Sequence, residues 1–210
     1  HRDLHSFPTR RSSDLVELSN QLMTHPLVNM ILATGGPGMV RAAYSSGKPA
    51  VGVGAGNTPA VIDETADIQM AVNSILLSKT FDNGMICASE QSVVVVDGVY
   101  DQVRSEFLRR GSYIVKGKEK TTLGQTIVKD GKLNSAIVGQ SAHRIAQMAG
   151  FAVPEETKIL IAEVETVGVT EPFSFEKLSP VLAMYRVPTF DDAVKVAAKL
   201  VEFGGMGHTA

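Results

Sequence analysis

The residue in this chain whose type and setting most suggest chemistry is a single thiol. Cys87 is the one cysteine among 210 residues, and it lies in Phe81-Asp82-Asn83-Gly84-Met85-Ile86-Cys87-Ala88-Ser89-Glu90-Gln91. An apolar helical pattern, Met70 to Phe81, runs into this stretch, and an apolar β run, Val93 to Val96, leaves it. Between them Asn83-Gly84 forces a tight bend. A thiol between a helix end and a strand start is placed to act as a nucleophile, holding an acyl or related group as a covalent intermediate. A buried cysteine that packs as a small hydrophobe fits the same spacing.

The elements before the thiol suggest what it works with. Val28 to Ala33 reads as a buried parallel strand and ends in Thr34-Gly35-Gly36-Pro37-Gly38, after which Met39 to Tyr44 has helical periodicity. A helix start offers free N–H groups and the positive end of its dipole, which favour phosphate. The full G-x-G-x-x-G pattern is not present, and glycine here serves a tight turn equally well. Ala50 to Gly56 reads as a second strand with Gly52, Gly54 and Gly56 at alternate positions, so one face lacks side chains and something flat, or another backbone, is expected against it. Ala60 to Ile62 is a third short strand. A helix then starts within Asp63 to Asp67 and buries Ile68, Ala71, Val72, Ile75 and Leu76.

Beyond the cysteine, Gln91 to Asp97 is a β run followed by an amphipathic helix over 101–110. Residues 112–135 lack long periodicity and read as a surface excursion. A helix over 142–149 ends at Gly150, strands follow at 159–162 and 180–185 with an acidic loop between them, and a helix capped by Thr189 or Asp191 runs to Glu202. Residues 1–15 are basic, serine-rich and aperiodic, and are set apart as a tail. Apolar residues make up 44% and charged residues 20%, as in ordinary globular proteins, and a net charge of −2 gives no case for nucleic acid or an anionic membrane. One cysteine excludes a disulfide framework and suits a reducing cytoplasm, which is the expected location. No apolar run is long enough to span a membrane, and no metal site is expected.

Four motifs together carry a resemblance: ILATGGPGMV (31–40), GVGAGNTPAVIDETAD (52–67), KTFDNGMICASEQSVVV (79–95) and EKLSPVLAMYR (176–186). In order and spacing they resemble the aldehyde dehydrogenase superfamily, most of all its coenzyme A-acylating branch and the N-terminal half of the bifunctional aldehyde–alcohol dehydrogenases of fermenting microbes. The resemblance spans residues 16–210. It implies an α/β fold in which part of a Rossmann-type NAD domain (16–80) precedes a catalytic domain with a parallel sheet (81–210), cut at both ends. A half of this kind lacking its first strands leaves sheet edges unpaired, so weak or no activity is expected of the chain alone. A stand-alone acylating or semialdehyde dehydrogenase, and a piece with only a structural part in an oligomer, stand as alternatives.

The resemblance also assigns roles. Cys87 is the nucleophile. Gly35, Gly36 and Pro37 occupy the turn that passes the NAD phosphates, and Gly54 lies where backbone meets the nicotinamide. Glu176 matches the glutamate of Glu-x-Phe-Gly-Pro that holds the nicotinamide ribose, although Leu178-Ser179 stands where Phe-Gly is usual. His208 is implied to orient or deprotonate the coenzyme A thiol; a histidine in a glycine-rich turn suits a structural role as well. Hydrolytic relatives carry a glutamate general base at the position of Val53. Valine takes no proton, so a thiol acceptor fits better than water. NAD is therefore the expected cofactor and coenzyme A the co-substrate, with a small aldehyde and an acyl-coenzyme A as ligands and a homo-oligomer or filament as the assembly.

Overall fold

A computed structural model describes residues 12–208. Most of the tail assigned to 1–15 lies outside the described residues, but helix α1, Ser12–Thr24, begins inside it. The chain divides into two compact units, 1–55 and 56–210. This division falls well before the 80/81 boundary expected from sequence, because the strand and helix spanning 59–80 belong to the sheet and core of the second unit.

In the first unit, β1 (Ile31–Thr34) and β2 (Ala50–Val53) pair in parallel through the helix α2 (Pro37–Tyr44). Gly36 caps α2 through its backbone alone, and Pro37 supplies the fixed φ of a first helical position. A Cβ on Gly52 would lie 2.6 Å from Val40 Cγ1, and the Gly52 N–H donates to the Tyr44 hydroxyl at 3.0 Å. At this position the glycine-bearing face meets side chains of α2, Val40 and the flat ring of Tyr44, whose Cε2 would lie 3.1 Å from such a Cβ, rather than a second backbone. The second strand also ends at Val53, three residues short of the run expected from sequence.

The second unit is a five-stranded parallel sheet in the order β3-β4-β9-β8-β5, formed by β3 (Pro59–Ile62), β4 (Ser92–Val96), β5 (Ser112–Val115), β8 (Ile159–Val164) and β9 (Val181–Val187). Helices cover both faces. On one face α3 (Ile68–Thr80) and α4 (Asp97–Arg109) bury Val72, Ile75, Leu76, Val103 and Phe107. On the other, α5 (Gly117–Ile127), α6 (Ala142–Met148) and α7 (Phe190–Gly204) bury Leu123, Ile127, Ile145, Ala193 and Leu200. Every residue of β4 is buried, as expected of a central strand sandwiched between helices. Asp67 caps α3 by accepting from Met70 N–H at 3.0 Å, and Thr189 caps α7 by accepting from Asp192 N–H at 3.2 Å.

The stretch 112–135 is not a surface excursion. It supplies the edge strand β5, the core-packed helix α5, and a small antiparallel pair, β6 (Val128–Lys129) with β7 (Lys132–Leu133). Helix α4 also begins four residues before the expected position, at Asp97.

The parallel register decides where chemistry can assemble. Pro59 is aligned with Ser92, and Ser92 with Ala183. The segments leading into β3, β4 and β9 therefore lie side by side at the amino ends of three adjacent strands. They are residues 56–58, 85–91 and 174–180.

Candidate active site

Helix α3 delivers the chain to the thiol through an abrupt reversal. Asp82, Asn83 and Gly84 have φ of 49°, 50° and 68°, three consecutive residues in the left-handed region. A Cβ on Gly84 would lie 2.7 Å from the Ser179 carbonyl oxygen and 2.9 Å from that of Lys79, so this position requires both the positive φ and the missing side chain. The Asn83 side-chain amide donates to Gly139 O at 3.0 Å, and Gly139 N–H donates to Leu178 O at 3.1 Å. Leu178 itself has φ 43°. Backbone in sparsely populated regions concentrates at functional sites, and here it lies on both sides of the same junction.

Cys87 sits in the turn that follows, closed by Ser89 N–H donating to Ile86 O at 3.0 Å. The thiol is half-buried and belongs to neither hydrophobic core, so the packing role is not the one it fills. A cleft of about 250 Å³ is lined by Ile86, Ala88 and Ser89, which flank Cys87 in the chain, together with Ser78 and Phe81. A larger cavity of about 540 Å³ lies at the opposite, carboxyl end of the sheet, among Tyr100, Lys120, Glu163, Glu171 and Arg186. There Glu163 accepts from Tyr100 at 2.8 Å and Arg104 at 2.9 Å, and Arg186 pairs with Asp97. These side chains satisfy one another, so the cleft lined by the residues flanking Cys87 is the better candidate for substrate.

The three neighbouring segments are joined by fully or nearly buried polar side chains. Gln91 is wholly buried. Its Nε2 donates to Ser89 O at 3.2 Å, and its Oε1 accepts from Lys79 Nζ at 3.3 Å and from Lys177 N–H at 3.0 Å. Asn57 Nδ2 donates to Ser174 O at 2.8 Å, while Asn57 Oδ1 accepts from Ser92 Oγ at 3.3 Å. Lys177, also wholly buried, donates through Nζ to Phe173 O and Phe175 O, both at 2.7 Å. Glu90 Oε2 is buried with no hydrogen-bond partner among the described residues.

Glu176 lies between these segments. Burial raises its carboxyl above the usual carboxylate range, opposed by a hydrogen bond from Gly56 N–H and by the nearby His208, Lys177 and Lys79. His208 packs on the same glycine: a Cβ on Gly56 would lie 2.4 Å from the imidazole Cγ. A flat group against a glycine of 52–56 is found here too. The end of α7 leads to this contact, since a Cβ on Gly204 would lie 2.5 Å from Asn57 N, and Phe203 meets Phe175 edge-on with ring centroids 5.0 Å apart.

Of the residues singled out in the sequence, Cys87, Glu176 and His208 thus fall in the second unit, on segments joined through Gln91, Asn57 and Gly56. Gly35, Gly36, Pro37 and Gly54 fall in the first unit, in the turn before α2 and just past β2. A Cβ on Gly36, Gly38 or Gly54 would meet nothing within 4 Å. Taken by itself, an open glycine turn at a helix start in the first unit suits a phosphate, and a half-buried carboxylate in the second suits hydroxyl groups. Among the described residues no group of three or more His, Cys, Asp or Glu side chains could hold a metal ion, and no helix is long and apolar enough to cross a membrane.

Sequence reasoning did not single out Lys79, Gln91, Asn57 or Lys177. For Lys79 a signal existed. It extends the stripe Val72, Ile75, Leu76 at helical spacing, so a lysine stands where the pattern calls for an apolar side chain.

Comparison with known proteins shows the family to which the chain belongs. The model of the aldehyde dehydrogenase family matches residues 13–204. The chain is 68% identical over 195 residues to the bifunctional aldehyde-alcohol dehydrogenase of Escherichia coli K12, a match covering 93% of this chain and 22% of that protein. Among solved structures it is similar to an acetylating aldehyde dehydrogenase from Geobacillus thermoglucosidasius, with a TM-score of 0.87, 50% identity, and coverage of 90% of this chain and 42% of that one. It is also similar to a Rhodopseudomonas palustris propionaldehyde dehydrogenase with bound propionyl-CoA, with a TM-score of 0.80, 35% identity, and coverage of 89% and 41%. The chain belongs to the aldehyde dehydrogenase family, in its coenzyme A-acylating branch. It spans 22% of that curated relative's length.

Two outcomes are expected of this site. Gly84→Ala should destabilise the protein strongly and depress the reactivity of Cys87, because its methyl group meets two carbonyl oxygens at an unfavourable φ; a melting temperature equal to wild type would contradict the geometry. Burial holds the Lys79 ammonium at about 7, far below its ordinary 10.5, against the attraction of Glu90 and Glu176. Between these values the unfolded chain binds a proton that the native state lacks, so this group makes stability rise with pH across that window, and its destabilising effect is complete below about 7. Lys79→Met should therefore raise the melting temperature more at pH ~6 than at pH ~9. An equal shift at both, or a fall, would contradict the burial assigned to the ammonium.

Proposed function

We propose that this chain carries the acyl-transfer site of an NAD-dependent, coenzyme A-acylating aldehyde dehydrogenase that interconverts acetaldehyde and acetyl-coenzyme A. The observation that carries the reading is the half-buried Cys87 thiol on a turn tied through Gln91 to the segment bearing Glu176, with an apolar cleft lined by the residues that flank it, Ile86 and Ala88. The cleft, about 250 Å³ with Phe81, Ile86 and Ala88 in its lining, suits a short alkyl group better than a carboxylate-bearing aldehyde.

NAD, when bound, supplies the hydride acceptor. The Cys87 thiolate adds to the aldehyde carbon, and the carbonyl electron pair moves to oxygen to give a tetrahedral hemithioacetal. Loss of hydride from that carbon restores the C=O bond and leaves a thioester on Cys87. Glu176 holds the ribose hydroxyls and so fixes where the hydride must go. By the family resemblance, Gly35, Gly36 and Pro37 would hold the phosphates of the dinucleotide, and Gly54 would meet its nicotinamide. The thiolate of coenzyme A then attacks the thioester carbon, expelling the Cys87 thiolate. His208 assists this second step by accepting or orienting the thiol proton. Val53, half-buried in β2, stands where a water-activating carboxylate would be needed, which favours a thiol over water as acyl acceptor. A homo-oligomer or filament is part of the same reading, carried by the resemblance alone, and a cytoplasmic location is carried by the single cysteine.

The test is the dependence of NADH formation on the acyl acceptor, measured on the intact protein. Acetaldehyde should be oxidised only when coenzyme A is present, acetaldehyde and propionaldehyde should be preferred over succinate semialdehyde, and Cys87→Ala should abolish turnover. Steady NADH formation with acetate as product and no coenzyme A would overturn the reading.

A further inference from the structure

The buried polar side chains around the thiol include two whose role the reaction does not assign. Gln91 uses both ends of its side-chain amide to join separate segments. Its N–H side donates to the carbonyl of Ser89, inside the turn that presents Cys87, and its oxygen accepts the N–H of Lys177, the residue after Glu176. Its backbone joins the same assembly, since Gln91 N–H donates to Thr58 O at 2.9 Å and Gln91 O accepts from Ala183 N–H at 3.2 Å. An amide with one end on the nucleophile's turn and the other on the backbone beside Glu176 fixes their separation. Lys79 then fixes the amide. Its Nζ donates to Gln91 Oε1, so the oxygen end of the amide faces Lys79 and Lys177 and the nitrogen end must face Ser89. A buried lysine in the stripe of α3 is costly, and it has a structural alternative in any aliphatic side chain of similar length.

We propose that Gln91, oriented by Lys79, is a positioning residue that keeps the Cys87 turn in register with the Glu176 segment. The proposal rests on the reading of Cys87 as nucleophile and Glu176 as the ribose-holding carboxylate. Neither Gln91 nor Lys79 touches substrate, since both are wholly buried. The charged groups that face Lys79 are Glu90, on the strand-leading segment, and Glu176 and Lys177, on the segment before β9. Loss of the Lys79 proton near neutral pH weakens its hold on the Gln91 oxygen, so the register itself becomes pH-dependent.

Two variants of the intact protein test this. Gln91→Glu keeps an oxygen for Lys79 and Lys177 but replaces the donor to Ser89 O with an oxygen that repels it. In folded protein it should lower kcat by about tenfold or more and raise KM for NAD, since small misplacements at a reacting centre cost about 10²-fold. A purely structural role would lower the melting temperature and leave both constants alone, and either constant unchanged overturns the proposal. Lys79→Met leaves both register contacts possible but removes the group that orients them. The rate of Cys87 alkylation by iodoacetamide should show an inflection near pH ~7 in the wild type that is absent in this variant. An identical profile in the two proteins overturns the proposal, and this variant decides the matter if Gln91→Glu does not fold. Alkylation needs neither NAD nor coenzyme A, so it reports on the pair even if the assigned reaction fails.

Discussion

The Gln91 amide lies wholly buried between the carbonyl of Ser89 and the N–H of Lys177, with the Lys79 ammonium on its oxygen. The site depends on this contact because nothing in a parallel sheet otherwise ties the loops at its amino ends to one another. Ladder hydrogen bonds align Ser92 with Ala183 and stop there. The turn carrying Cys87 and the segment carrying Glu176 lie beyond the ladder, and side chains must continue the pairing. Gln91 and Asn57 do so with amides, which can donate at one end and accept at the other.

Ligand sites of open α/β sheets usually gather at the carboxyl ends of the strands. In the second unit that end holds charges that neutralise one another, Glu163 with Arg104 and Asp97 with Arg186. The candidate site residues Cys87 and Glu176 lie instead at the amino ends of β4 and β9, next to that of β3. The physical consequence is a concentration of buried polar groups and left-handed backbone at one edge. Asn83, Gly84 and Leu178 are the backbone side of it, and Lys79, Gln91 and Lys177 the side-chain side. Burial drives the Lys79 and Lys177 ammonium groups downward and the Glu176 carboxyl upward, each toward neutrality. A cluster that sheds charge in this way keeps a low-dielectric floor under the thiol without requiring isolated ions.

Much of this was legible in the sequence, and the failures have physical reasons. The Cys87 turn and the glycine turn before α2 stood out because a lone thiol and glycine spacing are chemical signals that survive without tertiary information, whereas Glu176 stood out only through the family resemblance of its motif. The all-valine run of β4 and the stripe of α3 were visible as periodicity. The stretch 112–135 was misread because β5 has only four residues and α5 buries only Leu123, Gly124 and Ile127, too few for a periodic signal. The boundary read at 80/81 differs from the structural division at 55/56 because a strand's sheet membership is set by its partner, and β3 pairs with β4 rather than β2. Gln91 and Asn57 could not be found from spacing, since their partners lie 86 and 117 residues away. Lys79 was the exception. Its place in an apolar stripe was readable and pointed to a partner that only the fold supplies.

The central claim is that Cys87 carries the acyl group between NAD and coenzyme A. Mass spectrometry of the intact protein after incubation with acetyl-coenzyme A tests it most directly, because the described chain offers no second thiol to confuse the assignment. The account predicts an acetyl adduct on the peptide containing Cys87, discharged by added coenzyme A. A Cys87 peptide that stays unmodified while the protein turns over acetaldehyde would contradict it.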